Sequence, residues 1–224
     1  KATPEELLRI RTTGLEGSHV DSIFYCTWSS GFGLFTHNTQ VGEVLTGTDG
    51  ILAKNQTAGF IAQGTDPLQI LVNFGKRNGI EVFWSMRMND VHDGEYPEIF
   101  PRWKTEHPEC LFGTKESKPK GIRDGRMWAG VDFGRSEVRE RAYRFIEEVC
   151  ENYDVDGIEL DFCRHYTFFR CHAAGYPCGK EELDQMTGLV RRVRLMTEAV
   201  GLRRGRPILV GVRVPDSVGY CEAT

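Results

Sequence analysis

The run Tyr153-Asp154-Val155-Asp156-Gly157-Ile158-Glu159-Leu160-Asp161-Phe162-Cys163-Arg164-His165 decides how the chain folds. It starts apolar and ends in a crowd of charges, the pattern of a buried strand over residues 155–162 that empties into a polar loop. Strand side chains alternate between faces, so Ile158, Leu160 and Phe162 point one way and Gly157, Glu159 and Asp161 the other. Two carboxylates on one buried face are costly unless cations or a polar ligand meet them. A helical pattern precedes this strand and another follows it, which predicts a parallel sheet with helical crossovers. In a closed (β/α) barrel, catalytic groups gather at the carboxyl ends of the strands. Asp161 falls at such an end.

Upstream, residues 80–88 read as an apolar strand ending in Arg87-Met88-Asn89-Asp90-Val91-His92-Asp93, a second strand end loaded with polar groups. Residues 20–28 predict an earlier strand, closing at Trp28 and the glycine-rich Ser29-Ser30-Gly31-Phe32-Gly33. Downstream, residues 207–214 predict a further strand that runs out into Pro215, Asp216 and Ser217. Helices alternate with these strands. Thr3 and Pro4 open the first, and Thr65-Asp66-Pro67 opens the second, which Asn78-Gly79 ends. Residues 136–153 predict the third, with Val138, Ala142, Phe145, Ile146 and Val149 inward. Residues 181–200 predict the fourth, with Leu183, Met186, Leu189, Val190 and Val193 inward. Residues 34–64 and 94–130 lack periodic signals and read as long loops.

This alternation, with no internal repeat, predicts an α/β fold: one (β/α)8 TIM-barrel domain across residues 1–224. Four strands cannot close an eight-stranded barrel, and the first helix lacks a preceding strand. The chain therefore reads as strands two to five of a longer barrel, truncated at both ends; a small open α/β sheet is the alternative. A content of 40% hydrophobic residues in 224 suits one sizeable core. The net charge of −4 gives no reason to expect nucleic acid or an anionic membrane as partner. No apolar run approaches the roughly 20 residues that span a bilayer. The chain starts at Lys1 without a visible signal peptide. Export signals are removed on maturation, so a secreted or periplasmic location is compatible with it. Of the seven cysteines, Cys26, Cys150 and Cys163 read as buried thiols, while Cys171 and Cys178 bracket a short loop and are candidates for a disulfide. Cys110 and Cys221 complete the odd count.

Two carboxylates on one strand face can divide acid/base work, one protonated and one ionised. Asp161 is the candidate nucleophile or base, with Arg87, Arg164 or Arg213 available to keep it ionised. Glu159, about 6.5 Å along the same face, is a candidate acid, with a structural ion pair to a neighbouring arginine as its equal alternative. Asp216 is a further candidate acid. Asn89, Asp90, His92 and Asp93 are placed to hydrogen-bond the hydroxyls of a ligand, with Arg164, His165 and Arg213 from the next strand ends; a capped polar turn is the alternative account of the first four. Trp28, Trp103 and Trp128 are candidate stacking platforms. No cofactor and no metal are expected. His165, Cys171, His172 and Cys178 share a loop but match no zinc-finger spacing, and Asp90, His92 and Asp161 are the other set able to hold a divalent ion.

The segment Asp156-Gly157-Ile158-Glu159-Leu160-Asp161-Phe162-Cys163-Arg164-His165 resembles the fourth-strand segment of a family of uncharacterised bacterial glycoside hydrolase-like (β/α)8 barrels. The resemblance extends over most of the chain, including Trp84-Ser85-Met86-Arg87-Met88-Asn89-Asp90 and Glu106-His107-Pro108-Glu109. The segment is also similar to the alpha-amylase superfamily, where Asp161 matches the nucleophile and Arg164-His165 the basic pair that follows; Glu159 stands where that superfamily has arginine. Asp156, Glu159 and Asp161 match the acidic run of family 18 chitinases, whose catalytic glutamate is replaced here by Cys163. A thiol is no comparable acid. The resemblance implies a glycoside hydrolase acting on a poly- or oligosaccharide by carboxylate chemistry, with a carbohydrate substrate and no nucleic-acid or membrane partner. The alternatives are a catalytically inactive carbohydrate-binding barrel, which the Glu159 and Cys163 departures favour, and a metal-dependent hydrolase.

Overall fold

A computed structural model describes residues 2–121 and 124–216; Ser217 and Cys221 lie outside them. The central sheet has four strands, β1 (Ser22–Tyr25), β2 (Glu81–Arg87), β3 (Gly157–Asp161) and β4 (Leu209–Arg213), all parallel and side by side in chain order. This order contains no reversal point of the kind found in doubly wound sheets. Among the described residues the sheet is open at both edges.

Helices α1 (Pro4–Arg11), α2 (Pro67–Asn78), α3 (Ser136–Asn152) and α4 (Lys180–Arg204) alternate with the strands. Their ends follow from local chemistry. Thr3 Oγ1 accepts the Glu6 N–H at 3.2 Å, and the Asp66 carboxylate accepts the Gln69 N–H at 2.9 Å, each just ahead of a proline that needs no partner. Gly79 closes α2 at φ 66°, a left-handed conformation that costs glycine little.

The two faces of the sheet differ. Val82, Trp84 and Met86 of β2 and Ile158 and Leu160 of β3 pack under the helices in the main core. On α4 the buried stripe is Met186, Leu189, Val193, Met196 and Val200, whereas Leu183 is 39% exposed. The inward assignment of Leu183 is thereby corrected. The helix has 25 residues, about 37 Å, and β4 five, about 17 Å, so an end of the helix overhangs the sheet.

The opposite face is graded from aromatic to charged. Near the amino ends Phe24 stacks on Phe83 at 4.6 Å. Gly157 makes room for this: a Cβ there would lie 2.2 Å from the Phe83 ring. One pleat further stand Ser85 and Glu159, and then Arg87, Asp161 and Arg213 in a single row of strand partners.

Both supposed loops are structured. Residues 34–64 contain a two-stranded parallel ladder, Leu34–Phe35 with Glu43–Val44, and short helices at Gly50–Leu52 and Thr57–Ile61. Phe32 and Phe35 enter the main core. The buried carboxylate of Glu148 on α3 accepts from Thr39 Oγ1 and from the Gln40 and Val41 N–H groups, which lets this segment run inside the molecule. Residues 94–130 carry four short helical turns and the wholly buried Lys104, paired with Asp93 at 2.8 Å. The first strand is shorter than predicted because the backbone turns left-handed at Trp28.

Cys150 is buried as expected. Cys26 and Cys163 are only half-buried, since each sits just past the paired part of its strand. The sulfurs of Cys171 and Cys178 stand 3.3 Å apart, a hydrogen-bonding distance rather than the bonded distance of a disulfide. Among the described residues no helix is long and apolar enough to cross a membrane.

Candidate functional site

Polar side chains gather at the carboxyl ends of the strands. Asp161 is the last residue of β3 and is 6% exposed. Its Oδ1 accepts the Cys163 N–H at 2.9 Å, and its Oδ2 faces Arg213 Nη1 at 3.8 Å. Glu159, also buried, accepts from Ser85 Oγ at 2.5 Å through one oxygen and meets Arg213 Nη2 at 3.2 Å through the other. A single half-exposed guanidinium therefore bridges both acids. Arg87 is the strand partner of Asp161, yet its guanidinium turns to Asp90, with Nη1 3.1 Å from Oδ2.

Asp90 is completely buried and richly served. Its Oδ1 accepts from Ser30 Oγ at 2.9 Å and from the His92 N–H at 3.1 Å. His92 Nδ1 stands 2.9 Å from both carboxylate oxygens. Burial by itself would raise the Asp90 carboxyl, but the hydrogen bonds and charge of His92, with Arg87, outweigh it and hold the group well below the usual carboxylate range. The His165 ring lies edge-on to His92, centroids 5.2 Å apart, and burial pushes it down to about 4. Its Nδ1 is buried without a hydrogen-bond partner among the described residues. Arg164 is exposed and brings Nη2 to 3.5 Å from His92 Nε2.

The turn after β1 aims two serines at this network. Trp28, Ser29 and Phe32 have φ of 74°, 39° and 55°, conformations costing roughly 1–3 kcal/mol each outside glycine. They are held in place by what the turn delivers: Ser29 Oγ accepts the Arg87 N–H at 3.0 Å, and Ser30 bonds Asp90.

The structure brings together Asp161, Glu159 and Arg213 in one group and Arg87, Asp90, His92, Arg164 and His165 in an adjoining one. Trp28, 36% exposed, borders the turn. Asp216 is exposed beyond β4, its charge felt at the Cys163 thiol. Four residues stand elsewhere than their sequence roles require, among them Asp93, which is buried against Lys104. Asn89 is buried with its amide nitrogen bonded to the Val131 and Thr167 carbonyls and its oxygen to the Val131 N–H, so it staples loops and has no atom left for a sugar. Trp128 is buried with its ring stacked on Phe100 at 5.5 Å, a core position. Trp103 is likewise covered, by Arg141 at 4.8 Å.

Ser29, Ser30 and Ser85 are members of the site that the sequence analysis passed over. Ser85 carried a usable signal, lying two residues from Arg87 on the charged face of its strand. Among the described residues, the group of three that could hold a metal is Asp90, His92 and His165; His165 takes the place given to Asp161, and the histidines and cysteines of the 165–178 loop form no such cluster.

No protein-family model matches the chain, and no curated protein matches it. Among solved structures it is similar to alpha-L-fucosidase isoenzyme 2 from Paenibacillus thiaminolyticus, at 14% identity and TM-score 0.52, covering 93% of this chain and 28% of that one. It is also similar to an alpha-galactosidase from Thermus thermophilus, at 22% identity and TM-score 0.40 over 69% of this chain and 28% of that one. A third similarity is to a glycoside hydrolase family 18 N-acetylglucosaminidase from Paenibacillus barengoltzii, at 14% identity and TM-score 0.39 over 70% of this chain and 35% of that one. The chain thus spans about a third or less of each. The first likeness shows the fold, a mixed α/β arrangement with a parallel sheet.

Proposed function

We propose that the chain is an arc of a (β/α)8 barrel, strands two to five, whose protein hydrolyses a glycosidic bond in a poly- or oligosaccharide with Asp161 as the central carboxylate. The observation that carries this is the row Arg87, Asp161 and Arg213 across the carboxyl ends of three adjacent parallel strands, the location where barrels do chemistry. The sequential strand order and the fold shared with part of a fucosidase support the barrel.

In this reading the Cys163 N–H and Arg213 orient the Asp161 carboxylate for the part of nucleophile or base. Glu159 supplies the acid once substrate displaces the half-exposed Arg213, or Asp216 does so from the loop beyond β4. Trp28 offers an accessible ring for a sugar face. The test is Asp161→Asn assayed against a panel of aryl glycosides and oligosaccharides. Wild-type turnover with a loss of about 10³-fold or more in the variant is the expected result. Unchanged activity removes Asp161 from catalysis.

One observation favours a second reading, a barrel that binds carbohydrate without cleaving it. Both Glu159 oxygens are engaged, by Ser85 and Arg213, leaving no free carboxyl beside Asp161. Calorimetric binding of an oligosaccharide with no turnover by the wild type would select it. Neither binding nor turnover would discard both.

A further inference from the structure

We propose that Asp90, His92 and His165 form a binding site for one divalent cation of the zinc class, separate from the Asp161 carboxylate. The ligand atoms of the three all lie within 4.8 Å of one another. A four-coordinate ion with bonds of about 2.1 Å sets its ligands roughly 3.4 Å apart, so side-chain rotation of about an ångström closes the cluster. Three protein ligands leave one position for water or another small ligand.

The hydrogen bonding leaves room for the ion. With two lone pairs on each oxygen, Asp90 Oδ1 is filled by Ser30 and the His92 N–H, whereas Oδ2 accepts from Arg87 and turns its second pair to His92 Nδ1 at 2.9 Å, the pair that a cation would take in place of that contact. These bonds also fix the carboxylate, as the outer partners of metal ligands do. His92 Nδ1 stands equally far from both oxygens, a place where one N–H is shared and bonds neither well. A simple Asp90–His92 hydrogen bond accounts for that pair alone. It leaves the buried, unpartnered Nδ1 of His165 unexplained, and the cation accounts for the ring's presence. Two imidazoles against one carboxylate suit zinc, cobalt or nickel better than magnesium or calcium, which prefer oxygen.

Charge sets a limit on affinity. Arg87 touches Asp90 and Arg164 touches His92 Nε2, and both oppose a second positive charge. Arg87 is fixed by the strand, but Arg164 is exposed and swings clear, so its removal strengthens binding. A bound anion would respond in the opposite direction.

The experiment titrates the chelator-treated chain with cobalt(II), following visible absorption and the imidazole resonances of His92 and His165, with circular dichroism as a folding check. One equivalent is expected, with both histidine signals perturbed. His92→Gln and His165→Gln each weaken binding at least tenfold, Arg164→Ala tightens it several-fold, and Asp161→Asn leaves it unchanged. No binding by wild type, wild-type affinity in the His92→Gln/His165→Gln double variant, or loss of the ion in Cys171→Ser/Cys178→Ser would each overturn the proposal. The resonance shifts in the wild type stand even where a variant fails to fold.

Discussion

Both ends of the sheet carry acids matched by arginines, and the two ends use them differently. At the amino end Asp154 is half-exposed and shared among Lys76, Arg204 and Arg206, while Asp156 takes Arg206 and the Val82 N–H. Most of these ion pairs lie partly exposed, within water's reach. At the carboxyl end three acids, Asp90, Glu159 and Asp161, are buried and meet two arginines, Arg87 and Arg213. The first arrangement clamps strands and helices together and forgives change. The second holds charge where it is expensive, which is tolerable when the charge has a task.

The largest expected test of this contrast compares Asp90→Ala with Asp154→Ala in urea unfolding. The first strands Arg87 and His92 beside a buried void and should cost about 3–5 kcal/mol; the second should cost about 1 kcal/mol or less. Equal losses would break the contrast. Asn89→Ala comes next, at about 2–3 kcal/mol, because the Val131 and Thr167 backbone groups lose their partner inside the protein. A loss below about 0.5 kcal/mol would mean that the carboxyl-end loops do not depend on that staple.

A further effect is one of pH. Burial holds His165 at about 4 and His37 at about 3, against 6.5 for the free side chain. His37 sits beneath the same end, its Nδ1 2.8 Å from Thr27 Oγ1. The unfolded chain takes up these protons near pH 6.5 and the folded chain only near 3 to 4. Stability from this source is therefore complete above pH 6.5 and drains away as the pH falls through that window, at about 1.4 kcal/mol per pH unit for each histidine. Replacing His37 by Asn should remove one such increment between pH 6 and pH 4. Parallel slopes for the variant and the wild type would show that His37 carries no such linkage.

Local chemistry was legible in the sequence where the cause is local. The alternation over 155–162 places Glu159 and Asp161 on one face, and Thr3 and Asp66 cap their helices, because each depends on residues a few positions apart. The pairing of Arg213 with both acids depends on register between strands some 50 residues apart, and the sequence offered only candidates. The Asp90, His92 and His165 cluster joins two loops in the same manner. Asn89 looked like a sugar ligand because its type fits turns and sites alike, and only three fixed backbone partners separate the two. Phe32 and Phe35 were hidden because the chain enters the core through a left-handed turn at Trp28 and Ser29 that no periodicity announces.

The open edges of the sheet bear on handling. On β4, Leu209 and Val212 are 44% and 47% exposed beside a row of backbone groups without a neighbouring strand among the described residues. Such an edge recruits any extended peptide of suitable pattern, another copy included. Self-association of the 224-residue chain through this edge is expected to rise with concentration, and a lysine in place of Val212 to lower it.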